Sequence, residues 1–344
     1  MRIHGKVCDM FRGATIFLLV VVGLLSAGCG IDQDVTVIRL GHGMDPNHPV
    51  ARSMVYMAER VVEKSNGKMR IDIYPAAQLG TERELLELLQ IGSVPMTKVS
   101  AAVLEGFAPA YSVFSVPYLF RDREHQFRVL ASDVGKDVLL AGEKYWLRGL
   151  TYYDAGSRSF YTKSKPIHTP ADLRGMKIRV MESPSSLRMV NQLGGSATPI
   201  SYGELYSALQ QGVVDGAENN PPSFHMSRHY EVCKFYTLDE HTSIPDVLLI
   251  STAAWERLDE EERRWLQEAV DESAEYHKVL WEEASEEALR VVQEAGVTVI
   301  RPDKDPFFEK VQPIHASYGP PARGQWSPAD SIMYTLIQRI GEIE

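Results

Sequence analysis

The chain is poor in cysteine, short of positive charge and without an apolar run long enough to cross a bilayer. Each shortage closes off a class of protein. Of three cysteines, Cys8 and Cys29 fall before or just after the N-terminal apolar stretch, which leaves Cys233 alone in the body and no internal disulfide. In EVCKFY it reads as a small buried hydrophobe, since a catalytic thiol needs a nearby base. Lys and Arg number 36 against 46 Asp and Glu, a net charge of −10, which argues against nucleic acid as a partner. An anion bound here must be held by individual arginines against an unfavourable overall field. Enzyme signatures are also missing: there is no HExxH, G-x-S-x-G elbow, P-loop or post-strand G-x-G-x-x-G. His225 and His229 stand four apart on an expected helix. Without a third ligand they read as surface histidines, and no metal or cofactor is expected.

What is present describes a folded, exported protein. The chain has 344 residues, 44% of them apolar and 24% charged, which suits two soluble domains of ordinary size. Arg2, Lys6 and Arg12 precede ATIFLLVVVGLL (Ala14–Leu25), which falls short of the ~20 residues of a spanning helix. SAGC follows, ending at Cys29. Small residues before a cysteine resemble a bacterial lipoprotein signal, with cleavage before Cys29 and a lipid on its sulfur. Ser26 stands where Leu is usual, with Leu25 one position earlier, so ordinary signal-peptide cleavage is the alternative. Either route puts the mature protein outside the cytoplasmic membrane, in the periplasm or cell envelope.

Alternation predicts strands at VTVIRL (Val35–Leu40), MRIDIY (Met69–Tyr74) and MTKVS (Met96–Ser100). Between them Pro49 opens a helix that Gly67 ends, and Thr81 with Glu84 forms a capping box before a leucine face. This order predicts a parallel α/β sheet with right-handed crossovers. The pattern restarts with strands at GLTYYDAG (Gly149–Gly156) and KIRV (Lys177–Val180), a capped turn at TPADLRG, a further strand–helix unit in ATPISYGELYSALQQG, and a strand at GVVDGA. PDVLLIS (Pro245–Ser251) is another apolar strand, and Asp259–Ala295 is a long acidic helix. There is no repeat and no Gly/Ser tether, so the chain is expected to cross between two α/β halves more than once, with the long helix as a spine linking them.

Ligands of open α/β sheets sit beyond the carboxyl ends of the strands. Lys98 and Ser100, Arg179 in KIRV, Arg158 in GSRSF, and Glu218, Asn219 and Asn220 in GVVDGAENNPPS all fall at such ends. A guanidinium can grip a carboxylate with two parallel hydrogen bonds, which Lys cannot copy. The alternative is an Arg179 paired with an acidic side chain of its own chain. Asn219 and Asn220 offer donors and acceptors suited to hydroxyl groups, or make a turn. Pro221 and Pro222 hold the residues before them extended, giving a stiff polar rim.

YPAAQLGTERELLELLQIGSVPM, SVPYLFRDREH, TPADLRGMKIRV, and ELYSALQQGVVDGAENNPPS followed by HYEVCKFYTL occur here in that order. Together they resemble the DctP family, the solute-binding proteins of tripartite ATP-independent periplasmic (TRAP) transporters, over nearly all of the chain after the signal. The resemblance implies a non-enzymatic, two-domain α/β fold of Venus-flytrap type that closes by a hinge on small organic acids. These are then delivered to a sodium-driven TRAP permease. The expected domains are 36–155 with 246–285 and 156–245 with 286–325, then a C-terminal tail at 326–344. It implies Arg179 as the main salt bridge to the ligand carboxylate, assisted by Arg158, with Asn219 as a contact and Glu82 and Ser100 in the pocket. His42, Lys98, Asn220 and His241 are added from their placement. AENNPP and the LDEH stretch depart from the commoner family form and look like a sugar-acid branch, with hexuronates such as glucuronate or galacturonate as ligand. The rival readings are a secreted sugar-acid enzyme using Glu218 or His241 as acid or base, and a sensor-input binding protein of the same fold.

Overall fold

The computed structural model describes residues 35–320 and 327–344. The expected signal segment and Cys29 lie outside the described residues. Among the described residues no helix is long and apolar enough to cross a membrane. The strands are β1 (Thr36–Gly41), β2 (Met69–Tyr74), β3 (Met96–Ser100), β4 (Leu147–Tyr153), β5 (Arg158–Thr162) and β6 (Lys177–Val180). They continue with β7 (Ser196–Pro199), β8 (Gly216–Asn219), β9 (Phe235–Thr242), β10 (Asp246–Ser251) and β11 (Thr298–Ile300). They form two sheets, one of order β2-β1-β3-β10-β4 and one of order β11-β9-β5-β8-β6-β7.

Local chemistry explains most elements. The Thr81 hydroxyl and Glu84 carboxylate cap helix Glu82–Gln90 reciprocally, and Thr169 with Asp172 does the same for the turn Pro170–Leu173. Asp259 and Glu262 cap the 35-residue helix Glu260–Glu294, whose first turn is all acidic and so complements the helix dipole. That helix packs on Pro49–Lys64 and β4 of the first sheet and on Pro221–Met226 beside the second. In β10, Val247 and Leu249 face one core with Leu85, Leu86 and Leu89, while Leu248 and Ile250 face another with Met54, Met57 and Leu266. The two-residue period of a strand buried on both faces produces that division.

Both sheets are mixed, which corrects the expectation of a parallel sheet. β1 and β3 run parallel, but β10 is antiparallel to both β3 and β4. In the second sheet β6 is parallel to β7 and β8, whereas β5 is antiparallel to β8 and β9. The cause is the short crossings. Residues 154–157 join the end of β4 to the start of β5, and 243–245 join β9 to β10. So few residues cannot travel to the far end of the other sheet, so each crossing strand starts at the near edge and runs against its neighbours. Ser157 Oγ and Ser243 Oγ lie 3.2 Å apart, tying the two crossings together.

Other boundaries differ in detail. The strand expected at GVVDGA lies at Gly216–Asn219, so Glu218 and Asn219 are inside it, and Asn220 caps the helix that Pro221 and Pro222 begin. β5 and β9 are additional to the expected strands. His225 and His229 do not share a helix: Arg228, in the left-handed region, separates Pro221–Met226 from His229–Val232. His229 is buried against the Tyr161 hydroxyl, 2.9 Å away, and is no surface residue. Cys233 is a buried free thiol whose pKa burial pushes up to about 12, as a small core hydrophobe.

Gly156 shows how tightly the first crossing is set. Its φ is +57°, and an added Cβ would stand 2.9 Å from Trp281 Nε1 of the long helix. Gly156→Ala should destabilise the fold by about 1–3 kcal/mol in denaturant unfolding, from a strained backbone and a contact with little room to yield. An unchanged midpoint would show that the crossing is free to move.

Candidate ligand-binding site

The edges joined by the two crossings enclose a cavity of about 840 Å³, mouth included, lined from both sheets. β3, β6 and β8 end at it, and β5 and β10 begin there. Six of the nine residues singled out from the sequence line it: Arg179, Arg158, Asn219, Asn220, Glu82 and Ser100.

Arg179 sits between Ile178 and Val180, which both point into the core beneath β6, so alternation turns it to the opposite face. Its neighbours across the ladders are the small Thr198 and Ala217, which leave room for a guanidinium. The residue is 2% exposed. Nε donates to the Ile200 carbonyl at 2.8 Å, and Nη1 is buried without a hydrogen-bond partner. No carboxylate among the described residues forms an ion pair with it. Burial lowers its pKa, with Tyr161 and Glu218 acting in the other direction. A buried cation of this kind, with a nitrogen left unpartnered, costs free energy that an anion in the cavity would offset.

Arg158, also at the cavity, is engaged instead by its own chain. Nε pairs with Glu218 Oε2, Nη2 donates to Glu218 Oε1 at 2.9 Å, and Nη1 donates to Asn219 Oδ1 at 2.9 Å. Burial would raise the pKa of Glu218, but Arg158 and His241 outweigh it and hold it at about 2. His241 lies behind this pair, with Nδ1 2.7 Å from Asp239 Oδ2 and Nε2 3.6 Å from Glu218 Oε2. Burial would lower its pKa, but Asp239 and Glu218 push it up to about 9. Arg158, Glu218, His241 and Asp239 therefore form a buried row of alternating charge, and His241 does not line the cavity.

The row also orients the Asn219 amide, and the cap of the following helix orients that of Asn220. Asn219 Oδ1 accepts from Arg158 Nη1 and from the Asn220 backbone N–H, while Asn220 Oδ1 accepts from the Ser223 N–H at 2.9 Å. Both carbonyl oxygens face donors, which fixes the amide assignment. What Asn219 and Asn220 can offer a ligand is therefore N–H, rather than either polarity. On the second-sheet side Arg179 and the two amides therefore present donors, and the Glu182 carboxylate after β6 lines the cavity beside them.

The facing wall is built of acceptors. Lys98 is fully buried and does not line the cavity; its Nζ lies 3.1 Å from Glu82 Oε1 and 3.2 Å from Asp246 Oδ2. Burial works against its charge, but Asp246 and Glu82 outweigh it and raise the pKa. The Ser100 N–H also donates to Glu82 Oε1, at 3.3 Å. His42 lies behind the wall, its Nδ1 accepting from the Met44 N–H at 3.1 Å, and burial and then Lys98 lower its pKa to about 3.

Asp246, His48 and Tyr202 line the cavity without having been singled out. Asp246 opens PDVLLIS, and in a parallel sheet the start of that strand would lie at the far edge. His48 caps helix Pro49–Lys64 through Nδ1, which leaves Nε2 to donate to Ser223 Oγ across the cavity at 3.2 Å. Its signal was present as a histidine directly before the helix-opening Pro49.

A protein-family model described as bacterial extracellular solute-binding protein, family 7 (DctP), matches residues 40–319. A Salmonella typhimurium protein of uncharacterised function, YiiZ, is 40% identical over 306 residues, 88% of this chain and 91% of its own. A TRAP periplasmic solute-binding protein from Xanthobacter autotrophicus, solved with bound β-D-galacturonate, is 34% identical with a TM-score of 0.83, covering 89% of this chain and all of that one. Another from Roseobacter denitrificans, with bound β-D-glucuronate, is 33% identical with a TM-score of 0.84, over 90% of this chain and 100% of that one.

The native pKa of His241, about 9, lies above its ordinary 6.5, so the folded protein holds a proton that the unfolded chain releases. Its contribution to stability is whole below pH 6.5 and is lost as pH rises through about 9. An NMR titration should give an imidazole midpoint near 9, and His241→Asn should flatten the alkaline fall in stability. A midpoint near 6.5 would contradict the charged row.

Proposed function

The chain belongs to bacterial extracellular solute-binding protein family 7, the DctP family, and from that premise we propose that it captures a hexuronate outside the cytoplasmic membrane and passes it to a TRAP permease. The observation that carries the ligand class is the buried Nη1 of Arg179, a cation without a protein carboxylate. A uronate carboxylate supplies the missing partner, bidentate and charge-assisted. The amides of Asn219 and Asn220 add donors on the same wall, and Glu82 and Asp246 opposite accept from the sugar hydroxyls. A molecule with an acid at one end and hydroxyl groups around a ring matches that polarity from wall to wall. Solved relatives that hold galacturonate and glucuronate support the same class.

Capture is by closure of the two sheet-centred halves about residues 154–157, 243–245 and the long helix, with water leaving the cleft. Arg158 acts indirectly, by holding Asn219. The enzyme reading loses its candidates: Glu218 and His241 are locked in one charge row and neither lines the cavity. Export by residues 1–28 and a lipid at Cys29 rest on the sequence alone.

Arg179→Ala should weaken glucuronate or galacturonate binding by about 2–5 kcal/mol in calorimetry, as when one member of a buried charge pair is removed. Arg179→Lys should also bind poorly, because an ammonium lacks the fork. Near-wild-type affinity in Arg179→Ala would refute the assignment, and turnover of a uronate would favour the enzyme.

A further inference from the structure

The first-sheet wall carries a charge that nothing in the capture of a monoacid requires. Lys98 gives a single ammonium to two carboxylates, Glu82 and Asp246, and both of these line the cavity while Lys98 does not. One negative charge therefore remains in excess on this wall. Two further pairs near the cavity cancel in place: Arg158 against Glu218, and His241 against Asp239. On the opposite side of the cavity Arg179 and Glu182, which follows β6, both line it and neither has an ion-pair partner among the described residues. The carboxylates are also held where they are. Asp246 begins a central strand, paired with Ser100 on one side and Tyr153 on the other. Glu82 Oε1 is tied to Lys98 and to the Ser100 N–H.

We propose that the Glu82–Lys98–Asp246 cluster sets the charge of the ligand, admitting a monoanion whose far end carries hydroxyl groups and rejecting a dianion of the same carbon skeleton. The proposal rests on Arg179 as the carboxylate clamp. With the acid of a uronate on Arg179, its far end meets the acidic wall. Hydroxyl hydrogens there are donors and fit the carboxylate oxygens that Lys98 leaves over. An aldaric acid differs from the uronic acid by a second carboxylate at that end. It brings like charge to like, with Lys98 already shared between two partners.

The test is calorimetry of galacturonate, galactarate and galactonate with wild-type protein, Asp246→Asn and Glu82→Gln. Galactonate has the open chain of galactarate but a single charge, so it separates shape from charge. Each variant leaves Lys98 one carboxylate partner and makes the wall neutral, and thermal melts check folding. Wild-type protein should bind galacturonate and reject galactarate. Either variant should improve galactarate relative to galacturonate by about tenfold or more, the order expected for removing one like charge across a partly desolvated cavity. Galactarate bound as tightly as galacturonate by wild-type protein, or a ratio unchanged in both variants, overturns the proposal and leaves the uronate reading standing. No binding of galacturonate or glucuronate to wild-type protein overturns the uronate reading, and this proposal with it.

Discussion

A guanidinium held out of water with no carboxylate to answer it is the constraint on which this structure turns. Burying a cation is costly, and proteins ordinarily neutralise one that they bury. This chain does so for Lys98, Arg158 and His241, each of which lies against acidic side chains of its own. Arg179 is the exception, with one bond to a carbonyl and one buried nitrogen left over. The strand around it makes the exception sustainable. Apolar neighbours fix the side it faces, and small cross-strand partners give it room.

The neutralised charges around the cavity act as scaffolding. The row from Asp239 through His241 and Glu218 to Arg158 ends on the carbonyl oxygen of Asn219, and so decides which half of that amide a ligand can use. Lys98 does the reverse on the other side, holding two acids in place as acceptors from a buried position that does not line the cavity. The amide donors on one side and the paired acids on the other follow from these two pieces of buried electrostatics. The mixed sheets matter for the same reason. Because β5 and β10 start at the cavity edge, Arg158 and Asp246 open strands and still line the cavity.

Much of this was legible in the sequence, and what was not has physical causes. The Thr81–Glu84 capping box, the capped turn at TPADLRG, the alternation in VTVIRL, the apolar run PDVLLIS and the long acidic helix depend on neighbours a few residues apart, which a linear reading captures. Strand direction depends on how far a crossing can reach in space, so the parallel expectation failed. β5 and β9 went unseen because Arg158, Asp239 and His241 interrupt their apolar pattern, and their partners lie across the sheet, as Glu218 does for Arg158. The sequence places Lys98, Arg158 and Arg179 alike near strand ends and shows none of their partners. Only the pairing distances show that two are neutralised by the chain and one is not.

The most direct measurement is a crystal structure of the protein with glucuronate or galacturonate bound. A sugar carboxylate with its oxygens about 3 Å from the Arg179 guanidinium, and its hydroxyls toward Glu82 and Asp246, is the predicted result. A carboxylate held elsewhere, with Arg179 still bonded only to the Ile200 carbonyl, would contradict it.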